Sequence, residues 1–148
     1  DILEKFYYHF RIYPWQSSVI KSLRKEPKLY LWDWSEIQDP GARLENIVAS
    51  HLLKFCHFLS DVDGHRAALH YVRDKEQREV DFLVCINNKP WFCVEVKASF
   101  KGTVPSLGYF GNKLNVPFLF QVVQEPNKDV LKNNIRIISA DKFLGGLV

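Results

Sequence analysis

No methionine occurs anywhere in the 148 residues, not even at the start, so the chain is expected to be a piece of a longer protein. No apolar run approaches the roughly 18 residues that a membrane-spanning helix needs. Nothing at the beginning reads as a secretory signal. Cysteine is scarce: Cys56, Cys85 and Cys93 are odd in number and lack C-x-x-C spacing. That argues against a disulfide framework or a structural zinc site and fits a reducing, cytoplasmic setting. The five histidines, His9, His51, His57, His65 and His70, show no ligand spacing. The glycines are few and scattered apart from Gly145-Gly146, and none builds G-x-x-x-x-G-K-[ST] or G-x-G-x-x-G. H-E-x-x-H and G-x-S-x-G are missing too, so this segment carries no phosphate loop of its own. A net charge of +3, with no charged tail, names no partner.

Against these absences stands a high apolar content, 47% of residues with 14% aromatic, which is enough to bury a core and excludes disorder. The length suits a single domain over residues 1–148. Residues 6–13 are aromatic and β-prone up to Pro14, and Lys28–Asp33 reads as a second strand. Between them lies a basic stretch holding Lys21, Arg24 and Lys25, with Lys28 at its end. An aromatic β-hairpin around a basic loop is therefore expected at the front. These lysines and arginine would suit phosphates, although a solvated loop has the same composition.

The clearest helix follows. Asp39 is a good N-cap, Pro40 suits the first helical position, and Leu44, Ile47, Val48, Leu52, Phe55 and Leu59 recur at helical spacing. Asp61–Gly64 is a turn. Ala67–Val72 and Val80–Ile86 read as strands separated by a charged connector, Arg73–Glu79. Asn87–Pro90 breaks the chain before the partner strand Trp91–Ala98. A helix over Ser106–Leu114, a nearly all-apolar buried strand over Pro117–Val123 and a short strand over Ile135–Ser139 complete the pattern. The order α-β-β-β-α-β behind the hairpin predicts an α/β domain with a mixed central β-sheet flanked by helices. Tyr71 and Trp91 read as core or hairpin-tip aromatics, with stacking on a splayed base as the other use of such rings. Cys56 reads as buried filler on the helix.

The chemistry-bearing residues are acids in apolar surroundings. Asp81 opens Val-Asp-Phe-Leu-Val-Cys-Ile, and Glu95 and Lys97 stand two apart in Phe-Cys-Val-Glu-Val-Lys-Ala, on one face of their strand. Two convergent carboxylates suit a hard divalent cation such as Mg²⁺. A neighbouring lysine suits positioning water or stabilising charge on a scissile phosphate. Charged residues alternating along a strand also mark a plain solvated face. The other acid-x-Lys triplet, Glu26-Pro27-Lys28, contains a proline that bars it from a mid-strand position. Glu45 flanks the apolar stripe of the long helix, where a carboxylate is costly unless it meets a cation or metal. A first-turn acid favoured by the helix dipole is the alternative.

Leu31-Trp32-Asp33, Leu44-Glu45-Asn46-Ile47-Val48, Glu79-Val80-Asp81-Phe82 and Val94-Glu95-Val96-Lys97 follow one another in order. As an ordered set, from about residue 6 to about residue 123, they resemble domain of unknown function 4143, found C-terminal to the ATPase module of a large group of AAA+ proteins. That family is similar to the PD-(D/E)xK, restriction-endonuclease-like fold. The resemblance implies Glu45, Asp81, Glu95 and Lys97 as active-site positions, with Asp81, Glu95 and Glu45 on the metal. It also implies an upstream ATPase module, where ATP would bind, and DNA or RNA as partner. Two functions follow: Mg²⁺-dependent phosphodiester hydrolysis, or a non-catalytic recognition or regulatory module for the ATPase. Gln121 and Gln124 stand where some nucleases of this fold carry a further polar residue, but strand glutamines are ordinary.

The hairpin carries a geometric expectation. Asp81 and Glu95 oppose each other only if paired residue numbers total 176, which also opposes Leu83 to Cys93 and Cys85 to Trp91 around a loop centred on Asn88. A two-residue turn at Asn88-Lys89 opposes Asp81 to Val96 instead, unless a bulge intervenes.

Overall fold

A computed structural model describes residues 2–20 and 26–147. Lys21, Arg24 and Lys25 of the basic stretch lie outside the described residues. The elements in chain order are α1 (Ile2–Lys5), β1 (His9–Pro14), β2 (Lys28–Leu31), a 3₁₀ turn (Trp34–Glu36), α2 (Pro40–Val62), β3 (Ala67–Arg73), β4 (Glu79–Ile86), β5 (Lys89–Lys97), α3 (Pro105–Lys113), β6 (Phe118–Val123), β7 (Asp129–Lys132), β8 (Ile135–Ser139) and α4 (Ala140–Gly145). The eight strands form one sheet in the order β2-β1-β3-β4-β5-β6-β8-β7. The β1–β3, β5–β6 and β6–β8 pairs are parallel and the others antiparallel, so the sheet is mixed as expected.

Two apolar layers sandwich the sheet. On one face Val48, Leu52 and Cys56 of α2 and Phe143 of α4 pack on Phe82, Val84, Phe92, Val94, Val122 and Ile138. On the other, Leu107 and Phe110 of α3 cover Leu83, Cys85, Cys93, Leu119 and Ile137. The strand alternation in β5 (Phe92 and Val94 one way, Cys93 the other) assigns Glu95 and Lys97 to the α3 face. Helix α3 lies close to the sheet at Gly111, where a Cβ would stand 2.6 Å from Leu119 Cδ1.

The long helix starts as its sequence dictates. Asp39 accepts the Ala42 N–H at 2.8 Å, Pro40 occupies the first position, and Gly64 at φ +71° follows the C-terminus. Its second turn also fixes the outer edge of the sheet. The Asn46 amide accepts the Leu31 N–H at 2.9 Å and donates to the Leu31 carbonyl at 2.7 Å, completing the unpaired side of β2 as a neighbouring strand would.

Several expected boundaries move. The first strand begins at His9, not Phe6, because residues 6–8 close the short α1 and Tyr7 takes φ +58°. Arg73 and Glu79 extend β3 and β4 into the connector and pair with each other. The break at Asn87–Pro90 narrows to a two-residue turn: Asn87 and Asn88 both adopt positive φ, as a type I′ turn requires, and Lys89 and Pro90 already belong to β5. The buried strand after α3 starts at Phe118, which is exposed, rather than at Pro117. The sequence pattern did not mark β7 or α4. Tyr71 is buried, with its hydroxyl donating to the Glu26 carbonyl at 2.6 Å. Trp91 packs against Phe55 and Phe92, and Cys56 is buried as expected.

The Asn46 amide is a stability determinant that can be checked alone. Asn46→Ala should cost about 1–3 kcal/mol, the penalty for leaving the Leu31 donor and acceptor unpaired. Asn46→Asp should not rescue it, because a carboxylate cannot donate to the Leu31 carbonyl. Urea unfolding of the three proteins measures this, and equal midpoints would refute the clamp.

Candidate functional site

The register of the β4–β5 hairpin decides whether Asp81 and Glu95 meet. The type I′ turn sets Ile86 against Lys89 and Cys85 against Pro90, so the expected opposition of Cys85 to Trp91 does not occur. Trp91 is then inserted as an extra residue of β5, and beyond it Val84 opposes Phe92, Leu83 opposes Cys93 and Phe82 opposes Val94. Pro90 sits next to this bulge, where a missing N–H costs the ladder least. Continued one step, the register sets Asp81 against Glu95. On the other side of β4, Asp81 and Phe82 together span the place of the single residue Tyr71.

At that step the backbone ladder gives way to side chains. The Asp81 N–H donates to Glu95 Oε1 at 3.1 Å, and the Val96 N–H donates to Asp81 Oδ2 at 2.9 Å. The two carboxyls also interact directly with each other. Burial pushes the Asp81 carboxyl well above the usual carboxylate range, and the charge of Glu95 pushes the same way. Burial raises Glu95 as well, opposed by the bonds from Asp81 and by the positive charges of Lys97 and Lys28. The pair is thus driven towards sharing one proton, since two like charges cannot both be buried in contact.

Glu45 stands nearby but is held separately. The Tyr30 hydroxyl donates to its Oε1 at 2.7 Å. Burial and then the charge of Asp81 raise the Glu45 carboxyl, while Tyr30 and Lys28 oppose the rise. Glu45 opens on a cleft of about 340 Å³ lined by Lys28, Leu29, Tyr30, Ile37, Ala42 and Asn46. Among the described residues, no three His, Cys, Asp or Glu side chains converge as a metal-binding group. Asp81 and Glu95 therefore come together and Glu45 flanks them. Two larger hollows, of about 560 and 420 Å³, share Trp91 at the turn end of the hairpin, away from these acids.

Lys97 is exposed at the end of β5 and makes no ion pair among the described residues. Its positive charge still opposes the rise of the Glu95 carboxyl. The ammonium that reaches the acids from within is Lys28, bonded to Glu79 and placed near Asp81 and Glu45. Burial alone would raise Glu79, but Lys28 and then Arg73, at 2.7 Å from its Nε, hold that carboxyl below its usual range. The sequence marks Lys28 only as the end of a basic stretch suited to phosphates and Tyr30 only as part of the Lys28–Asp33 strand, and it sets neither beside the acids. Gln121, opposite Glu95 in β6, is fully buried: it accepts the Val104 N–H at 3.0 Å and donates to the Gly102 carbonyl at 2.9 Å. Its amide pins the loop between β5 and α3, whereas Gln124 is exposed.

The shared proton gives a signed pH dependence. Unfolding releases it once pH exceeds the ordinary carboxylate range, so its contribution to stability is full at low pH and is lost as pH rises through the raised pKa values. Glu79, depressed, acts oppositely and loses its contribution on acidification. Asp81→Asn keeps an acceptor for Val96 and a donor for Glu95 and should flatten the loss on the alkaline side. Urea midpoints from about pH 4 upward measure it; parallel curves for wild type and Asp81→Asn would refute the shared proton.

The chain matches the model of a protein family, described as "Domain of unknown function (DUF4143)", over residues 40–143. No curated protein and no solved structure matches it.

Proposed function

The chain belongs to the DUF4143 family, and we propose that it is a PD-(D/E)xK-like nuclease domain performing Mg²⁺-dependent phosphodiester hydrolysis on nucleic acid, in the service of an AAA+ ATPase module that binds the ATP. The observation that carries this reading is the meeting of the Asp81 and Glu95 carboxyls at the opened end of the β4–β5 ladder, next to Lys97.

The donor set fits a hard divalent cation. Both groups are carboxyls, each binds a backbone N–H through one oxygen, and their contact calls for a proton or a cation between them. Asp81 and Glu95 would hold Mg²⁺ between them, while Glu45, expected from the resemblance as a third ligand, is held by Tyr30 and only flanks the pair from α2. When bound, the ion supplies Lewis-acid stabilisation of the charge that develops on a phosphoryl group. Lys97 presents an unpaired ammonium to the same phosphate and orients the attacking water. Tyr30 fixes the rotamer of Glu45, and Lys28 restrains the repulsion among Glu45, Glu79 and Asp81.

A second reading, a recognition or regulatory module without catalysis, is favoured by one observation. The same carboxyls are engaged with the Asp81 and Val96 N–H groups, a use that holds the strands together without any metal.

Two measurements decide between them. Calorimetry with Mg²⁺ and Mn²⁺ should show binding to wild type and its loss in Asp81→Ala; heat that survives the substitution unchanged removes the metal site. In a metal-dependent nicking assay, Lys97→Met should abolish cleavage while stability stays within about 0.5 kcal/mol, because Lys97 is exposed. Wild type that cuts neither DNA nor RNA would establish the second reading.

A further inference from the structure

We propose that the loop between β5 and α3, together with β7, forms a basic track that seats the phosphate backbone of a single-stranded nucleic acid beside the Asp81–Glu95 pair. The inference deepens the nuclease reading by naming its substrate class, and it is tested by binding rather than cleavage.

Four lysines define the track. Lys97 ends β5, and Lys101 is exposed on the following loop. Lys128 precedes β7 and Lys132 ends it, their ammonium groups 5.8 and 5.7 Å from the centre of the Phe100 ring. Lys97 pairs with Val123, Val123 pairs with Ser139, and Ser139 binds the Lys128 backbone, its N–H donating to the Lys128 carbonyl at 2.9 Å and its Oγ accepting the Lys128 N–H at 2.6 Å. Three such spacings give about 14 Å from Lys97 to Lys128, a span of a few nucleotides.

The track is prearranged. The Gln121 amide holds Gly102 and Val104, Glu125 accepts the Phe100 N–H at 2.9 Å, and the Gln124 N–H donates to the Ala98 carbonyl at 3.1 Å. It is also electrostatically open. Among the described residues Lys97, Lys101 and Lys132 make no ion pair, and Lys128 meets only Glu125, at 3.9 Å. The nearby Asp129 is occupied by a two-pronged bond to Arg136, at 2.8 and 2.9 Å. Unpaired ammonium groups in a line attract a polyanion and release its counterions.

A single strand fits better than a duplex for a physical reason. The charge follows one line rather than two ridges, and Glu95 is only 6% exposed, so a phosphate must bend inward to approach it. A duplex resists such bending over tens of base pairs, whereas a single strand does not.

The test is fluorescence anisotropy of a labelled oligothymidylate, in EDTA, at several salt concentrations. Lys101→Glu/Lys132→Glu should weaken binding at least tenfold and reduce the salt slope by about 1.4, the single-strand value for two phosphates. Lys101→Gln/Lys132→Gln should weaken it less, and a circular-dichroism melt of each variant confirms folding. Lys54→Glu/Lys89→Glu, the same charge change on exposed residues elsewhere, should leave binding intact. Equal weakening by that control, tighter binding of a duplex of the same length, or equal binding of polyglutamate overturns the track. Binding that follows the pattern without cleavage on adding Mg²⁺ supports the track and defeats the nuclease reading. Cleavage by wild type and Lys101→Glu/Lys132→Glu alike does the reverse.

Discussion

The structure turns on a single substitution of bonding partners: where β4 and β5 part, carboxyl groups take over from backbone carbonyls. Asp81 and Glu95 accept the N–H groups of Val96 and Asp81. A buried acid is normally a cost; here each acid satisfies a donor that the departing strand would otherwise leave bare. Burial and the neighbouring Glu95 hold the Asp81 carboxyl well above the usual carboxylate range, which relieves the like charge between the two groups.

That contact depends on a feature at the far end of the hairpin. Two asparagines in left-handed conformation close the turn one register short, and Trp91 restores the missing residue. Without the bulge the alternation would send Glu95 to a different partner. The aromatic packing of Trp91 on Phe55 and Phe92 anchors the bulge to α2. The same helix brings Glu45 to Tyr30 and Asn46 to Leu31. One long helix thus ties together the hairpin, the sheet edge and the flanking acid.

Much of this was legible in the sequence because it rests on local rules. The cap at Asp39, the stripe from Leu44 to Leu59 and the alternation around Asp81 and Glu95 each follow from one residue's preferred conformation or from a period. The register arithmetic also anticipated Leu83 opposite Cys93, but not the means. Placing the bulge at Trp91 needs tertiary packing that no hairpin pattern encodes. β7 was missed because all four of its residues are exposed and show no alternation. The place of Lys28 and Tyr30 among the acids was missed because it arises from pairing across distant segments, Lys28 with Glu79 and Tyr30 with Glu45.

The exposed final strand has a consequence of its own. β7 ends the sheet, and Val130 and Leu131 are 51% and 73% exposed on it, so its outer edge offers backbone groups and apolar side chains to any extended chain that passes. What stands against such pairing is charge: the Asp129–Arg136 fork at one end and Lys132 at the other. A polyanion lying along Lys132 would mask one of these guards. Occupancy of the proposed track and resistance to edge-to-edge association would then be coupled through one ammonium group.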